Sequence, residues 1–341
     1  MPGRPPHGCD ARPGAFSCPH FCKMCRTALS LAARRTYDGN MSVPTSVHLP
    51  VMLQEILAGL APRPGAVIVD GTLGGGGHSR ALAARVQPGG RVISLDRDPA
   101  AVEAARQWLG YGAESQYTEL PFFPVQSNFC DLPEVLAEIG VEAVDGILLD
   151  LGLSSDQLAD SERGFSFSST GPLDLRFDTM QGKPAWRLLE RLSAEHLADL
   201  IYHYGEERYS RRIARAIVER RRDQPIETSA DLAELVRRCV PRSRHERIDP
   251  ATRTFQALRI AVNDELKSLE IALRRLPDCL RQGGRLAIIS FHSLEDRRVK
   301  EAFRDDPRLE PMSRKPAIPS DEEIAANPRS RSAKLRIATR N

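Results

Sequence analysis

The chain has 341 residues, 41% of them hydrophobic and 27% charged, which gives enough apolar material for a buried core and excludes a wholly disordered protein. Lys and Arg number 48 against 45 Asp and Glu, so the net charge of +3 excludes a histone-like polybasic protein while leaving room for a local basic face. No apolar run approaches the roughly 20 residues of a membrane-spanning helix, and no membrane partner is expected.

In chain order, residues 1–41 come first and differ in composition from the rest of the chain. They are rich in Pro, Gly and Arg, poor in acids, and hold Cys9, Cys18, Cys22 and Cys25. A disordered extension is the expectation. A zinc site is the alternative, but the Cys18, Cys22, Cys25 spacing lacks a distant second ligand pair. Met41 reads like a protein start, and an organellar transit peptide is a further reading of the leader. The remaining Cys130, Cys239 and Cys279 show no pairing pattern, which together with the odd total of seven points to a reducing compartment.

Ala66–Asp70 is a β-branched run of the kind a buried parallel strand uses. A glycine-rich loop, Gly71–His78, comes next, and Ser79–Val86 reads as a helix. Strand, glycine loop and helix start let backbone approach a ligand closely and aim free N–H groups at it. A second strand, Arg91–Leu95, ends in Asp96, where an acid can accept hydrogen bonds from the ribose of a nucleoside cofactor. No Gly-Lys-Ser/Thr closes the loop, so Walker-type phosphate binding is not expected. A third strand, Gly146–Asp150, ends in another acid and opens the loop Leu151–Ser155. Acids at both strand ends favour a methyltransferase over a dehydrogenase that would use the same nucleoside-binding half.

Well over a hundred residues then precede the strand Arg285–Phe291, too many for a simple crossover. Ser193–Tyr204, Tyr209–Arg222 and Ser229–Cys239 carry helical apolar spacing, with Ser193 and Thr228 as N-caps. Residues 158–254 are expected to form an inserted helical subdomain, with 42–157 and 255–341 as the two parts of the main domain. Thr254–Leu276 reads as one long amphipathic helix returning to the sheet. Arginines crowd the second helix, Arg211 and Arg212 among them, and the C-terminal stretch carries Arg329, Arg331, Lys334, Arg336 and Arg340 without an acid. Solvated faces and phosphate contacts are both open readings of such clusters. For His292 two readings also stand: a place beside a pocket at a strand end, or a neighbour of a helix cap formed by Ser293 and Asp296. No metal motif stands in the core, and no catalytic metal is expected.

Eight separated segments together resemble a known family, the S-adenosylmethionine-dependent methyltransferases that modify the N4 amine of a cytosine in small-subunit ribosomal RNA. They are His48–Met52, Asp70–Ser79, Leu149–Leu158, Arg163–Phe167, Gly171–Arg176, Gln256–Leu266, Ser290–Arg297 and Asn327–Arg336, spread over roughly residues 45–337. The resemblance implies an α/β, Rossmann-like class I methyltransferase with a mostly parallel sheet flanked by helices. It implies that Gly76, Gly77 and His78 contact S-adenosylmethionine, that Asp96 holds its ribose and Phe129 its adenine, and that Asp150 and Gln157 complete the cofactor pocket. Phe129 as ordinary core packing remains the other reading of that residue.

The implied substrate is a cytosine in the decoding region, methylated in the assembled small subunit, with Arg211, Arg212, Arg329, Arg331 and Lys334 as RNA contacts. The exocyclic amine of cytosine is a poor nucleophile, so an acceptor must localise its lone pair and remove a proton. Asp150 or a backbone carbonyl in Leu151–Ser155 is the candidate acceptor, with Ser154 and His292 as the other catalytic candidates; C5 chemistry would instead need a cysteine nucleophile. A bacterial cytoplasmic location is expected, with organellar targeting by the leader as the alternative, and a homodimer is a reasonable assembly.

Overall fold

In the computed structural model, which describes residues 50–108, 122–241 and 249–341, the apolar runs become parallel strands. The first part of the chain runs α1 (Leu53–Leu60), β1 (Val67–Asp70), α2 (Gly77–Val86), β2 (Arg91–Asp96), α3 (Pro99–Trp108), β3 (Phe122–Gln126), α4 (Leu132–Glu138) and β4 (Val144–Asp150). Helices then dominate, with α5 (Ser155–Ala159), α6 (Ala185–Arg191), α7 (Ala194–Gly205), α8 (Ser210–Asp223), α9 (Ser229–Cys239), α10 (Thr252–Asn263) and α11 (Glu265–Cys279). The chain closes through β5 (Leu280–Ser290), α12 (Ser293–Asp305), β6 (Leu309–Pro311), α13 (Asp321–Ala326) and β7 (Lys334–Arg340).

The sheet order is β3-β2-β1-β4-β5-β7-β6, and β7 alone runs against the others. This is the Rossmann-like, mostly parallel arrangement expected of a class I methyltransferase. Strand order reverses between β1 and β4, and such a switch point leaves a crevice at the carboxyl ends of the strands. Alternating side chains feed two apolar layers. Val69, Ile93, Ile147 and Leu149 join one, while Ile68, Val92 and Leu148 join the other. Burial of each Leu or Ile contributes about 1.5–3 kcal/mol.

A third apolar cluster gathers the helices between β4 and β5. Leu197 and Ile201 of α7, Ile213 and Ile217 of α8, and Leu232 and Val236 of α9 supply it at helical spacing. Ser193 and Thr228 cap α7 and α9 as expected, accepting from the N–H groups of His196 at 3.2 Å and Asp231 at 3.1 Å. Gly205, at the end of α7, lets that helix meet α10, since a Cβ there would lie 2.4 Å from the Arg253 carbonyl.

Three expectations need correction. The segment 254–276 is two helices: Asp264 at φ 51° breaks it, a conformation that Asn and Asp tolerate better than most residues. Phe255 and Leu258 of α10 consequently pack with the helical cluster, whereas Leu269, Leu273 and Leu276 of α11 pack on the sheet. The basic C-terminal stretch is only partly a free surface: Arg329 and Arg331 stand in a short 3-10 turn, while Lys334, Arg336 and Arg340 belong to strand β7, paired on both edges, with Arg336 buried and its Nε 2.7 Å from Asp296, and Lys334 Nζ 3.2 Å from the same carboxylate. Helix α12 is capped by His292, whose Nδ1 accepts from the Glu295 N–H at 3.4 Å, while the Ser293 hydroxyl donates to Glu206. The leader and its four cysteines lie outside the described residues. Among the described residues, no helix is long and apolar enough to cross a membrane.

Candidate functional site

A cavity of about 650 Å³ opens at the carboxyl ends of β1, β2, β4 and β5, within the size range of cofactor pockets. At one end it is lined by Gly71, Thr72, Gly74, Asp96 and Phe129. Gly74 has φ 48°, which permits the tight turn out of β1. Its N–H donates to Asp96 Oδ2 at 2.8 Å, and the Asp98 N–H donates to Oδ1 at 2.8 Å. Each Asp96 oxygen therefore keeps acceptor capacity toward the cavity. Burial, against the pull of those two N–H groups, pushes this carboxyl up to about 6. Phe129 is half-buried, packing on the sheet core while also lining the cavity.

Asp70, at the end of β1, stands behind the loop. It accepts from the Ser79 hydroxyl at 2.6 Å and the Thr72 N–H at 3.1 Å, so it holds the loop and the start of α2 together. Full burial raises it to about 6, with His78 and Ser79 opposing.

Asp150 occupies the end of β4 and lines the cavity centrally. Its N–H donates to Thr72 Oγ1 at 2.7 Å, which ties β4 to the glycine loop. Asp150 Oδ2 lies 3.4 Å from His78 Nε2, and Oδ1 is buried without a hydrogen-bond partner among the described residues. A buried unpaired acceptor is unfavourable by about 1–3 kcal/mol, so Oδ1 is poised for a donor that a ligand supplies. Burial alone would lower His78, but the Asp150 and Asp70 carboxylates overcome it and raise it. Next in the chain, Ser154 and Gln157 form a capping box for α5, each accepting the other's N–H at 3.1 Å. Gln157 Nε2 also donates to buried Asp98 at 3.0 Å, which ties this loop to the one after β2.

The structure thus gathers Asp96, Phe129, Asp150, Ser154 and Gln157 around one space, joined at the rim by Arg329, whose guanidinium donates to Ser155. Gly76, Gly77, His78 and His292 do not line it, though His78 touches Asp150 from behind and His292 lies between two lining residues, Phe291 and Glu295. Arg211 and Arg212 are exposed on α8 and Arg331 is exposed near Arg329. Lys334 is tied to Asp296, which leaves it poorly placed as a free phosphate contact.

Sequence reading missed Arg97, Phe177, Glu265 and Phe291, which also line the cavity. Only Phe291 carried a signal, as the residue at a strand's carboxyl end. The expectation of no metal motif also overlooked that Glu265, His292 and Glu295 bring ligand-type atoms within 4.8 Å of one another. Both Glu265 oxygens hold Arg259, at 2.8 and 2.9 Å, and Glu295 accepts the Phe291 N–H at 2.9 Å and faces His292 at 3.2 Å. Burial would raise Glu295, yet His292, Arg259 and that N–H bring it below the usual range. These contacts are internal: Arg259 and Glu265 tie α10 to the start of α11, and Glu295 with His292 and the Phe291 N–H fixes the start of α12. Cys130 is buried and outside the lining, and burial pushes its thiol up to about 11.

Residues 45–341 match the model of the MraW methylase family. The chain is 53% identical over 298 residues to the Ribosomal RNA small subunit methyltransferase H of Cyanothece sp., covering 87% of this chain and 96% of that protein. It is 49% identical over 313 residues to the protein of the same name from Geobacter sulfurreducens, covering 86% and 99%. A solved rRNA methylase from Streptococcus thermophilus aligns with a TM-score of 0.39 and 12% identity, over 85% of this chain and 94% of that one.

Proposed function

The chain belongs to the MraW methylase family, and from that premise we propose that it transfers a methyl group from S-adenosylmethionine to the N4 amine of a cytosine in the decoding region of small-subunit ribosomal RNA, in the cytoplasm and on the assembled subunit. The observation that carries this reading is the unpartnered Asp150 Oδ1 in a cavity whose other end presents the acceptor-rich Asp96 beside a glycine loop.

The residues present fit the cofactor. Asp96 accepts the ribose hydroxyls, Gly74 and its neighbours allow close backbone approach, and Phe129 offers an apolar face to adenine. When bound, S-adenosylmethionine supplies an electrophilic methyl group on a positively charged sulfur. Asp150 does the remaining chemistry of the pocket. Its Oδ1 accepts an N–H of the cytosine amine, which localises the nitrogen lone pair and then takes the proton that the methylated amine must lose. His78 faces the other carboxylate oxygen at 3.4 Å, and the Asp150 backbone N–H to Thr72 fixes the strand end that carries the side chain. The loop Leu151–Ser155 closes the same wall, and Ser154 acts by shaping that loop through its capping box. Cys130, buried and with its thiol raised, suits packing rather than nucleophilic attack, which favours N4 over C5 chemistry. Exposed Arg211, Arg212, Arg329 and Arg331 supply phosphate contacts. The helical region between β4 and β5 forms the RNA-recognition part, and a homodimer is the proposed assembly.

The test is methyl transfer from labelled S-adenosylmethionine to small subunits purified from cells lacking the enzyme. Wild-type protein is expected to add about one methyl per particle. Asp150→Ala is expected to lower the rate by about 10²–10⁴, the usual worth of a positioned acid–base group, while Cys130→Ala stays near wild type. A near-normal rate in Asp150→Ala refutes the assignment.

A further inference from the structure

We infer that Phe177 and Phe291 form an aromatic slot that receives a single base turned out of its RNA strand and that they set substrate choice for an unstacked base. The inference rests on the reading of the cavity as a methyl-transfer site. A base stacked in a helix cannot bring its exocyclic amine to a carboxylate at a strand end, so it must leave the stack. Proteins that take single bases offer aromatic faces to them.

Phe291 lies two residues beyond Ile289, which is the register partner of Asp150 in the β4–β5 pair. That spacing sets Phe291 alongside Gly152, two residues beyond Asp150. Gly152 has φ 116°, and a Cβ built on it would lie 3.3 Å from the Phe291 ring, so glycine lets the ring lie close against the loop. The backbone of Phe291 is held by its N–H to Glu295. Its ring packs against the sheet core, and the residue remains half-buried and lines the cavity.

Phe177 comes from the other core. Its ring stacks on buried Phe165, with centroids 6.0 Å apart and planes inclined by 26°. Its backbone is clamped at both ends. The N–H donates to Asn263 at 2.8 Å, and the carbonyl accepts from Arg163 Nη2 at 2.7 Å. Arg163, itself buried, also binds the Arg176 carbonyl and lies 3.1 Å from Asp98, two residues beyond Asp96. Leu175, two residues earlier, is held at φ 63°, a strained conformation for a non-glycine residue. A buried arginine, a buried asparagine and a strained leucine thus fix one half-buried phenylalanine at the cavity. Rigid support of this kind is what a binding surface requires, whereas ordinary packing tolerates adjustment. Exposed Arg329 at the rim adds positive charge where the neighbouring phosphate of a turned-out nucleotide would lie.

The experiment uses the full chain with Phe177→Leu, Phe291→Leu and Phe177→Tyr. Small subunits from cells lacking the enzyme are the substrate, and calorimetry with S-adenosylhomocysteine is the second readout. Leucine keeps apolar volume while removing the stacking face. Each Leu variant is expected to lose about 10–100-fold in kcat/KM for small subunits, with S-adenosylhomocysteine affinity within about threefold of wild type. Phe177→Tyr is expected to recover to within about threefold. Leu variants with wild-type kcat/KM overturn the slot, as do variants that lose S-adenosylhomocysteine affinity in step with activity. A wild-type protein that methylates nothing in the small subunit overturns the functional reading, and the slot with it.

Discussion

Asp96→Asn probes the cofactor end of the cavity with little change in shape. The native carboxylate takes one backbone N–H on each oxygen, from Gly74 and Asp98, and retains acceptor capacity for two ribose hydroxyls. Hydrogen bonds to a charged acceptor contribute about 1.5–3 kcal/mol each. An amide keeps one neutral acceptor and turns its NH₂ toward a backbone N–H, so the expected loss is about 2–4 kcal/mol, or about 30–1,000-fold in affinity for S-adenosylhomocysteine. Burial raises Asp96 to about 6, which adds a pH signature. In the proposed assignment the ionised form is the one that accepts from ribose. Wild-type affinity should therefore be full above about pH 6 and fall about tenfold per unit below it. The Asn variant should be weak and flat across that range. Calorimetry at pH 5, 6, 7 and 8 measures both features. A wild-type affinity that is constant from pH 7 to 5, or an Asn variant within threefold of wild type at pH 8, would refute the assignment of Asp96.

Other outcomes come from the same geometry. Asp70 is fully buried and raised from 3.8 to about 6, so its ionisation destabilises the fold as pH rises through that window. The stability of Asp70→Asn relative to wild type should therefore increase by about 2 kcal/mol between pH 4.5 and 7.5 in urea titrations, and a pH-independent difference would contradict this. Gly205→Ala places a Cβ 2.4 Å from the Arg253 carbonyl and should lower stability by about 1–3 kcal/mol through the contact of α7 with α10; an unchanged Tm would count against that close approach. Arg329→Glu with Arg331→Glu should weaken binding to small subunits and reduce the slope of log affinity against log salt by about 2, whereas an unaltered slope would remove these residues from the RNA surface.

The strands that form the floor of the cavity were legible because parallel strands buried on both faces read as short continuous apolar runs, as Ala66–Asp70 and Gly146–Asp150 do. The acids at their ends were legible for the same reason, since a run that stops at Asp96 or Asp150 marks a strand's carboxyl end. Strand β7 was hidden by charge. Its Lys334, Arg336 and Arg340 suggested a solvent-facing tail, whereas Asp296 and the Leu280 carbonyl neutralise or satisfy them inside the fold. The break at Asp264 was hidden because neither Gly nor Pro marks it. His292 supplies a helix cap that residue-type rules assign to Ser or Thr. Phe177 was invisible in principle, because it reaches the cavity only through the long-range contacts of Arg163, Asp98 and Asn263.

The most direct measurement is nucleoside mass spectrometry of small-subunit RNA after incubation of undermethylated subunits with S-adenosylmethionine and either wild-type or Asp150→Ala protein. The expected result is N4-methylcytidine at one site with wild-type protein and none with the variant. A methyl group on carbon 5, on a ribose or on another base, or equal N4 methylation by both proteins, would contradict the account.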